Sequence, residues 1–175
     1  MPRVREGAIP RGLTRNLYRF PITLYRIGLG RLLGRRFLLL EHVGRNSGLP
    51  RHAVLEVIRR DAGTGTWYVS SGFGEASDWY RNLVATPRAR VESAGETRDV
   101  VARVLPKEEA EHEILEYARH YPRSVRAVSR LMGWELDGSD DDLRAFAGEL
   151  RIVALGSVTD AGSESVAPTS SSPIS

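Results

Sequence analysis

The chain contains no cysteine in its 175 residues. Disulfides, zinc–thiolate sites, iron–sulfur clusters and cysteine nucleophiles are therefore excluded, and the absence fits a reducing cytoplasm. Lysine is almost missing as well: Lys107 stands alone beside 24 arginines. Such a bias reports on genome base composition and says little about fold. No run approaches the ~20 consecutive apolar residues of a membrane span. The apolar stretches near the N-terminus are short and broken by arginine, so no signal peptide is expected. No internal repeat is present. The four histidines, His42, His52, His112 and His120, lack the spacing of a metal cluster. His112 and His120 read as part of a solvated helix face with Glu108, Glu109 and Glu116, and no metal is expected. Nor does any order of Ser, His and Asp suggest a hydrolase, since Ser70-Ser71-Gly72 lacks the form of a nucleophile elbow.

What is present is an ordinary globular composition, 41% hydrophobic and 27% charged, enough for one domain with a single core. Charge is spread unevenly. Residues 1–36 carry nine arginines against one acid, Glu6, a net +8, while the remainder sums to −5. Within this arm Leu13, Leu17, Phe20, Leu24, Ile27 and Leu32 recur at roughly helical spacing over 13–33, and Pro21 should kink or restart the helix. The basic amphipathic arm has two main readings. Its apolar face covers the rest of the domain or a dimer interface, or the helix lies on an anionic membrane as a peripheral contact. The first is favoured, because the apolar face is broad and the arginines are dispersed. A third reading, phosphate contacts to nucleic acid, meets an acidic remainder and no helix-turn-helix or RNA-binding motif. No nucleic-acid partner is expected.

From residue 37 the pattern changes to short strands, predicted at 37–43, 51–60, 66–71, 88–93 and 96–105. Gly63-Thr64-Gly65 and Ala94-Gly95 read as hairpin turns. A short helix capped by Ser77 or Asp78 interrupts them and ends before Pro87. Pro106 opens a helix to about Tyr121, which Pro122 breaks. Further helices are predicted from Arg123 to Met132 and from Ser139 to Ala147, followed by a last strand over 150–155. Residues 156–175 are rich in Ser, Gly, Thr and Pro and are expected to be disordered. Strands joined by tight hairpins predict an antiparallel sheet curled into a small barrel, α+β in content, over 37–155.

Three stretches carry chemistry. The turn Gly44-Arg45-Asn46-Ser47-Gly48-Leu49-Pro50-Arg51 holds two arginines and a hydroxyl among glycines. Glycines let backbone N–H groups turn toward an anion, and arginine grips phosphate or carboxylate in a fork. A solvated hairpin with surface arginines explains the same residues about as well. Ser70-Ser71-Gly72-Phe73-Gly74 leaves a strand with small residues that let a flat ring approach, although a plain glycine-rich connection is the simpler reading. Asp78-Trp79-Tyr80-Arg81-Asn82-Leu83 opens a helix whose free N–H groups and dipole favour an anion; taken alone, Trp79 reads as core.

Together, in this order, the three stretches, with Pro87 and the later Tyr121-Pro122, resemble the deazaflavin-dependent nitroreductase family over about 37–155. These are split β-barrel oxidoreductases, flavin-reductase-like in fold, that use coenzyme F420. The resemblance implies that Arg45, Asn46, Ser47, Gly48 and Arg51 hold the coenzyme's phosphate and acidic tail. It implies that the stretch from Arg51 through His52 and Val54 to Leu55 passes along the coenzyme, and that Ser70, Ser71 and Gly72 line the ring. Asp78, Trp79, Tyr80 and Asn82 would support the ring from the helix. The implied reaction is hydride transfer to a small electron-poor acceptor, a quinone, enone or nitro compound. A homodimer is expected from the same resemblance.

Two departures from the family pattern stand out. Asn46 replaces the lysine common after the turn arginine, so one cationic contact is missing. Arg123-Ser124-Val125-Arg126-Ala127 carries no phenol after the Tyr-Pro pair. Ser71, Tyr121 and Trp134 are left as candidates on the acceptor side, and no essential acid is assigned. An FMN-binding reductase of the same barrel, a non-catalytic coenzyme carrier, and a nucleic-acid or membrane binder acting through the arm are the competing readings.

Overall fold

The computed structural model describes residues 34–72 and 74–157. The predicted helix over 13–33, nearly all of the arm, and tail residues 158–175 lie outside the described residues. Among the described residues six strands and four α-helices follow in the order β1 (Phe37–Val43), β2 (Pro50–Arg60), β3 (Trp67–Ser71), α1 (Asp78–Ala85), β4 (Arg88–Ser93), β5 (Glu96–Val104), α2 (Lys107–His120), α3 (Pro122–Leu131), α4 (Asp140–Glu149) and β6 (Arg151–Ser157). Every ladder is antiparallel, and the ring β1-β2-β3-β6-β5-β4 closes a barrel. The chain thus forms the expected α+β split β-barrel with flanking helices.

Strand alternation decides what fills the barrel. Leu38 and Leu40 of β1, Trp67 and Val69 of β3, Val91 of β4 and Val100 of β5 point inward and are buried, with a polar or half-buried residue between each pair. Tyr80 and Leu83 of α1 join this core. A second core lies outside the barrel, where Ala110, Ile114, Ala118, Val125, Phe146 and Ala147 of the helices pack on the sheet. Strand β6 serves both. Val153 and Leu155 face the barrel interior, and Ile152 and Ala154 face the helices. Burial on both faces explains why β6 reads as a continuous apolar run rather than an alternating one.

The barrel is split at β2. This strand pairs with β1 along Pro50 to Glu56 but meets β3 only from Val57 to Arg60, with a register shift between Val57 and Arg59. A bulge of this kind bends a strand and ends a ladder. The first half of β2 therefore diverges from β3.

Element boundaries depart from expectation at the ends. Pro122 is the first residue of α3, where a proline's missing N–H costs nothing, so it both stops α2 and starts its successor. Helix α4 runs to Glu149, two residues past the expected end at Ala147. Gly156 and Ser157, expected in the disordered tail, pair with Val101 and Val100 and complete β6.

Candidate functional site

Divergence of β2 from β3 opens a cleft of about 840 Å³, within the usual range for cofactor sites. Its walls are the β1–β2 turn (Gly44 to Ser47), the first half of β2 (Arg51 to Glu56), Ser70 and Gly72 at the end of β3, the start of α1, and Val128 and Met132 from α3. Of the residues expected at the site, Arg45, Asn46, Ser47, Arg51, His52, Val54, Ser70, Gly72, Asp78, Trp79 and Asn82 all line it.

The turn is built around two glycines. Gly48 adopts φ +65° and donates its N–H to the Gly44 carbonyl at 2.7 Å. Gly44 is needed for a different reason. A Cβ there would stand 2.7 Å from Ser47 Oγ and 3.4 Å from Arg51 Cγ. Without it, the serine and arginine side chains close over the backbone. Arg45 is anchored three times: its backbone N–H and its Nη1 each donate to Asn82 Oδ1 at 3.0 Å, and Nη1 donates to Asp78 Oδ1 at 3.0 Å. The Arg51 side chain has no hydrogen bond or ion pair among the described residues, so its guanidinium donors face solvent and cleft. On the rim, His52 Nε2 lies 3.2 Å from Glu41 Oε2.

Three residues expected to hold the coenzyme do not line the cleft. Ser71 is 1% exposed. Consecutive strand residues face opposite ways, so Ser70 and Ser71 cannot both reach a ligand on one side of β3. The Ser71 hydroxyl instead lies 2.7 Å from the Gly74 carbonyl and 2.6 Å from Ser77 Oγ. Tyr80 points into the barrel core, one step around α1 from Trp79. Gly48 shapes the turn without facing the cavity. On the acceptor side, Tyr121 is 53% exposed and stacks on Tyr117 at 5.1 Å, outside the cleft lining. Trp134 packs edgewise on Phe146 in the helix core. Neither Ser71 nor Tyr121 is thus placed to touch a ligand in this cleft.

Sequence reasoning missed His42, Glu56, Ser77, Val128 and Met132, all in the lining. Val128 and Met132 stand four apart on one helix face, a spacing that signals a face but not what it faces. Glu56 sits in a cluster. Its Oε1 accepts from Arg36 Nε and Nη2 at 3.0 and 2.9 Å and from the Tyr117 hydroxyl at 2.7 Å. Burial, and then the hydrogen bond to Glu56, push the Tyr117 phenol up to about 12. Serine at the α1 N-cap makes no side-chain cap bond; the Ser77 hydroxyl is hydrogen-bonded to Ser71 instead. Among the described residues no group of three or more His, Asp or Glu is arranged to hold a metal. No described helix is long and apolar enough to cross a membrane.

This donor set fits a coenzyme with an anionic tail and a flat head. Arginines and a Cβ-free turn stand at one end, and small residues, Trp79 and an apolar helix face stand at the other. Such a cleft in a split barrel suits a flat coenzyme with a charged tail. Residues 21–130 match the family described as F420H(2)-dependent quinone reductase, and the chain belongs to that family. It is accordingly an F420H2-dependent oxidoreductase, and its coenzyme is F420. No curated protein matches the chain in sequence. Among solved structures, the chain is similar to an F420-H2-dependent reductase (FDR-A), with 21% identity, 70% of this chain and 95% of the other covered, and a TM-score of 0.47. It is also similar to a pyridoxamine 5'-phosphate oxidase-related, FMN-binding protein from Nostoc punctiforme, with 12% identity, coverages of 86% and 83%, and a TM-score of 0.49. A third is the heme storage protein HutZ from Vibrio cholerae, with 17% identity, coverages of 76% and 88%, and a TM-score of 0.46.

Proposed function

We propose that this reductase acts on a flat, lipophilic quinone-type acceptor, and that the β2–β3 cleft is where coenzyme and acceptor meet. When bound, F420H2 supplies the hydride. Arg45 and Arg51 hold the anionic end of the coenzyme, with Ser47 and Asn46 beside them. Asn46 carries no charge, so arginine alone neutralises the tail. Gly72 and Ser70 leave room for a ring, and Trp79 packs beside it. Val128 and Met132 form an apolar wall that favours a quinone over a charged acceptor and limits water at the reacting face. Reduction of a quinone also takes up a proton. No carboxylic acid in the lining is free to give it, since Asp78 and Glu56 are both engaged by arginine. Solvent entering the open cleft is the source assigned here.

The observation that carries this reading is the union, in one cavity, of an arginine turn with an apolar helix face. Titration of the protein with oxidised F420 and with FMN, followed by tryptophan fluorescence, is the direct test. Tight F420 and weak FMN binding are expected. Turnover of F420H2 with menadione then separates an enzyme from a carrier. Replacing Arg45 by alanine removes a charge-assisted contact and is expected to cost about 1.5–3 kcal/mol of coenzyme binding, roughly ten- to 150-fold in Kd. Unchanged affinity in Arg45→Ala would remove the turn from the site.

A further inference from the structure

Asn82 is 5% exposed and stands between two donors and a ring. Its Oδ1 lies 3.0 Å from the Arg45 backbone N and 3.0 Å from Arg45 Nη1. Both of those groups can only donate. The amide oxygen must therefore face Arg45, and the amide nitrogen must face the other way. Nδ2 lies 3.2 Å from Nδ1 of His42, itself 4% exposed. An amide nitrogen can only donate, so Nδ1 accepts, and the single ring proton sits on Nε2. The opposite amide orientation would set an NH2 group against two N–H donors from Arg45.

We propose that His42, as the neutral Nε2–H tautomer, is a positioning residue for the coenzyme: it fixes the Asn82 amide and through it holds Arg45 in the anion cradle. The inference rests on the reading of the cleft as the coenzyme site. His42 lies in the cleft wall, yet its acceptor nitrogen is spent on Asn82. Its surroundings keep it neutral. Burial is the largest influence and pushes the imidazole below its usual range, and the charges of His52 and Arg51 from β2 act the same way. The Val43 carbonyl and Asp78 of α1 act in the opposite sense. Protonation would set an N–H on His42 against the N–H of Asn82. Either the amide turns its NH2 toward Arg45, which then keeps only the largely exposed Asp78, or it parts from the ring and Arg45 loses its fixed partner. Coenzyme affinity is expected to fall in acid for this reason.

The test uses the full chain and oxidised F420. His42→Leu, which fills the space but accepts nothing, is expected to weaken binding roughly fivefold at pH 7.5 and, by leaving the buried Asn82 N–H unpaired, to lower Tm by a few degrees while the protein stays folded. His42→Asn carries an oxygen near the position of Nδ1 and has no titration in the range. It should restore wild-type affinity and should lack the extra weakening that the wild type shows between pH 7.5 and 5.5. Any titration of the coenzyme itself is common to both proteins. Nitrogen-15 NMR of the free protein should find His42 protonated on Nε2 alone. Wild-type affinity in a folded His42→Leu, an Nδ1-protonated ring, or equal acid weakening in His42→Asn would each overturn the proposal. Should the leucine variant not fold, the tautomer and the asparagine profile still decide. If Arg45→Ala binds as the wild type does, the cleft reading itself fails. If Arg45→Ala weakens and His42→Leu does not, only this inference fails.

Discussion

A single hydrogen at residue 44 decides whether Ser47 and Arg51 can close over the turn. Gly44→Ala puts a methyl carbon within 2.7 Å of Ser47 Oγ. Both neighbours are flexible and exposed, so the fold should tolerate the change while the cradle loosens. Coenzyme Kd is expected to rise several-fold with Tm nearly unchanged, and paired binding and melting measurements check it. At this scale the turn was legible, because a Gly-Arg-Asn-Ser-Gly cluster announces its own geometry. Ser71 was misplaced for want of the alternation that separates it from Ser70. His42 was invisible for another reason. Its role depends on Asn82, forty residues away in the chain, and no local pattern records that pairing.

Between elements, the cluster at Glu56 joins three of them. Tyr117 of α2 donates to a carboxylate of β2, and Arg36, just before β1, donates to the same oxygen and to Ser124 of α3 at 2.8 Å. The junction has a pH signature. The Tyr117 phenol is raised from 10.0 to about 12, so the folded state keeps a proton that the unfolded chain gives up. That contribution to stability is fully present below pH 10 and is lost as the pH rises toward 12. Tyr117→Phe should therefore flatten the alkaline fall of stability, as read by denaturant titrations at stepped pH. The elements themselves were largely legible from period and punctuation. Their partners were not: the apolar side of α3 is plain in the sequence, but nothing there says that Val128 and Met132 face a cleft rather than core. Strand β6 hid its double burial in the same way, since a short apolar run does not name its two neighbours.

For the whole molecule, β6 is the shared wall of two cores. Ile152 belongs to the helix side and Leu155 to the barrel side, each fully buried. A strand common to both should make them unfold together. Ile152→Ala and Leu155→Ala are each expected to cost about 2–5 kcal/mol. Both should shift one transition rather than split it, with calorimetric and van't Hoff enthalpies agreeing. The barrel could be anticipated from hairpins without strand–helix alternation, whereas its split could not, because the bulge near Ile58 leaves no mark in residue type. That split also leaves one length of β2 without a neighbour on its β3 side. Unpaired strand margins are where foreign chains attach and aggregates begin. Here the margin starts at Pro50, which offers no N–H, and continues with the charged Arg51, the two devices by which sheets refuse an extra strand. The open length of β2 is therefore guarded against an added strand by the residues at its own start.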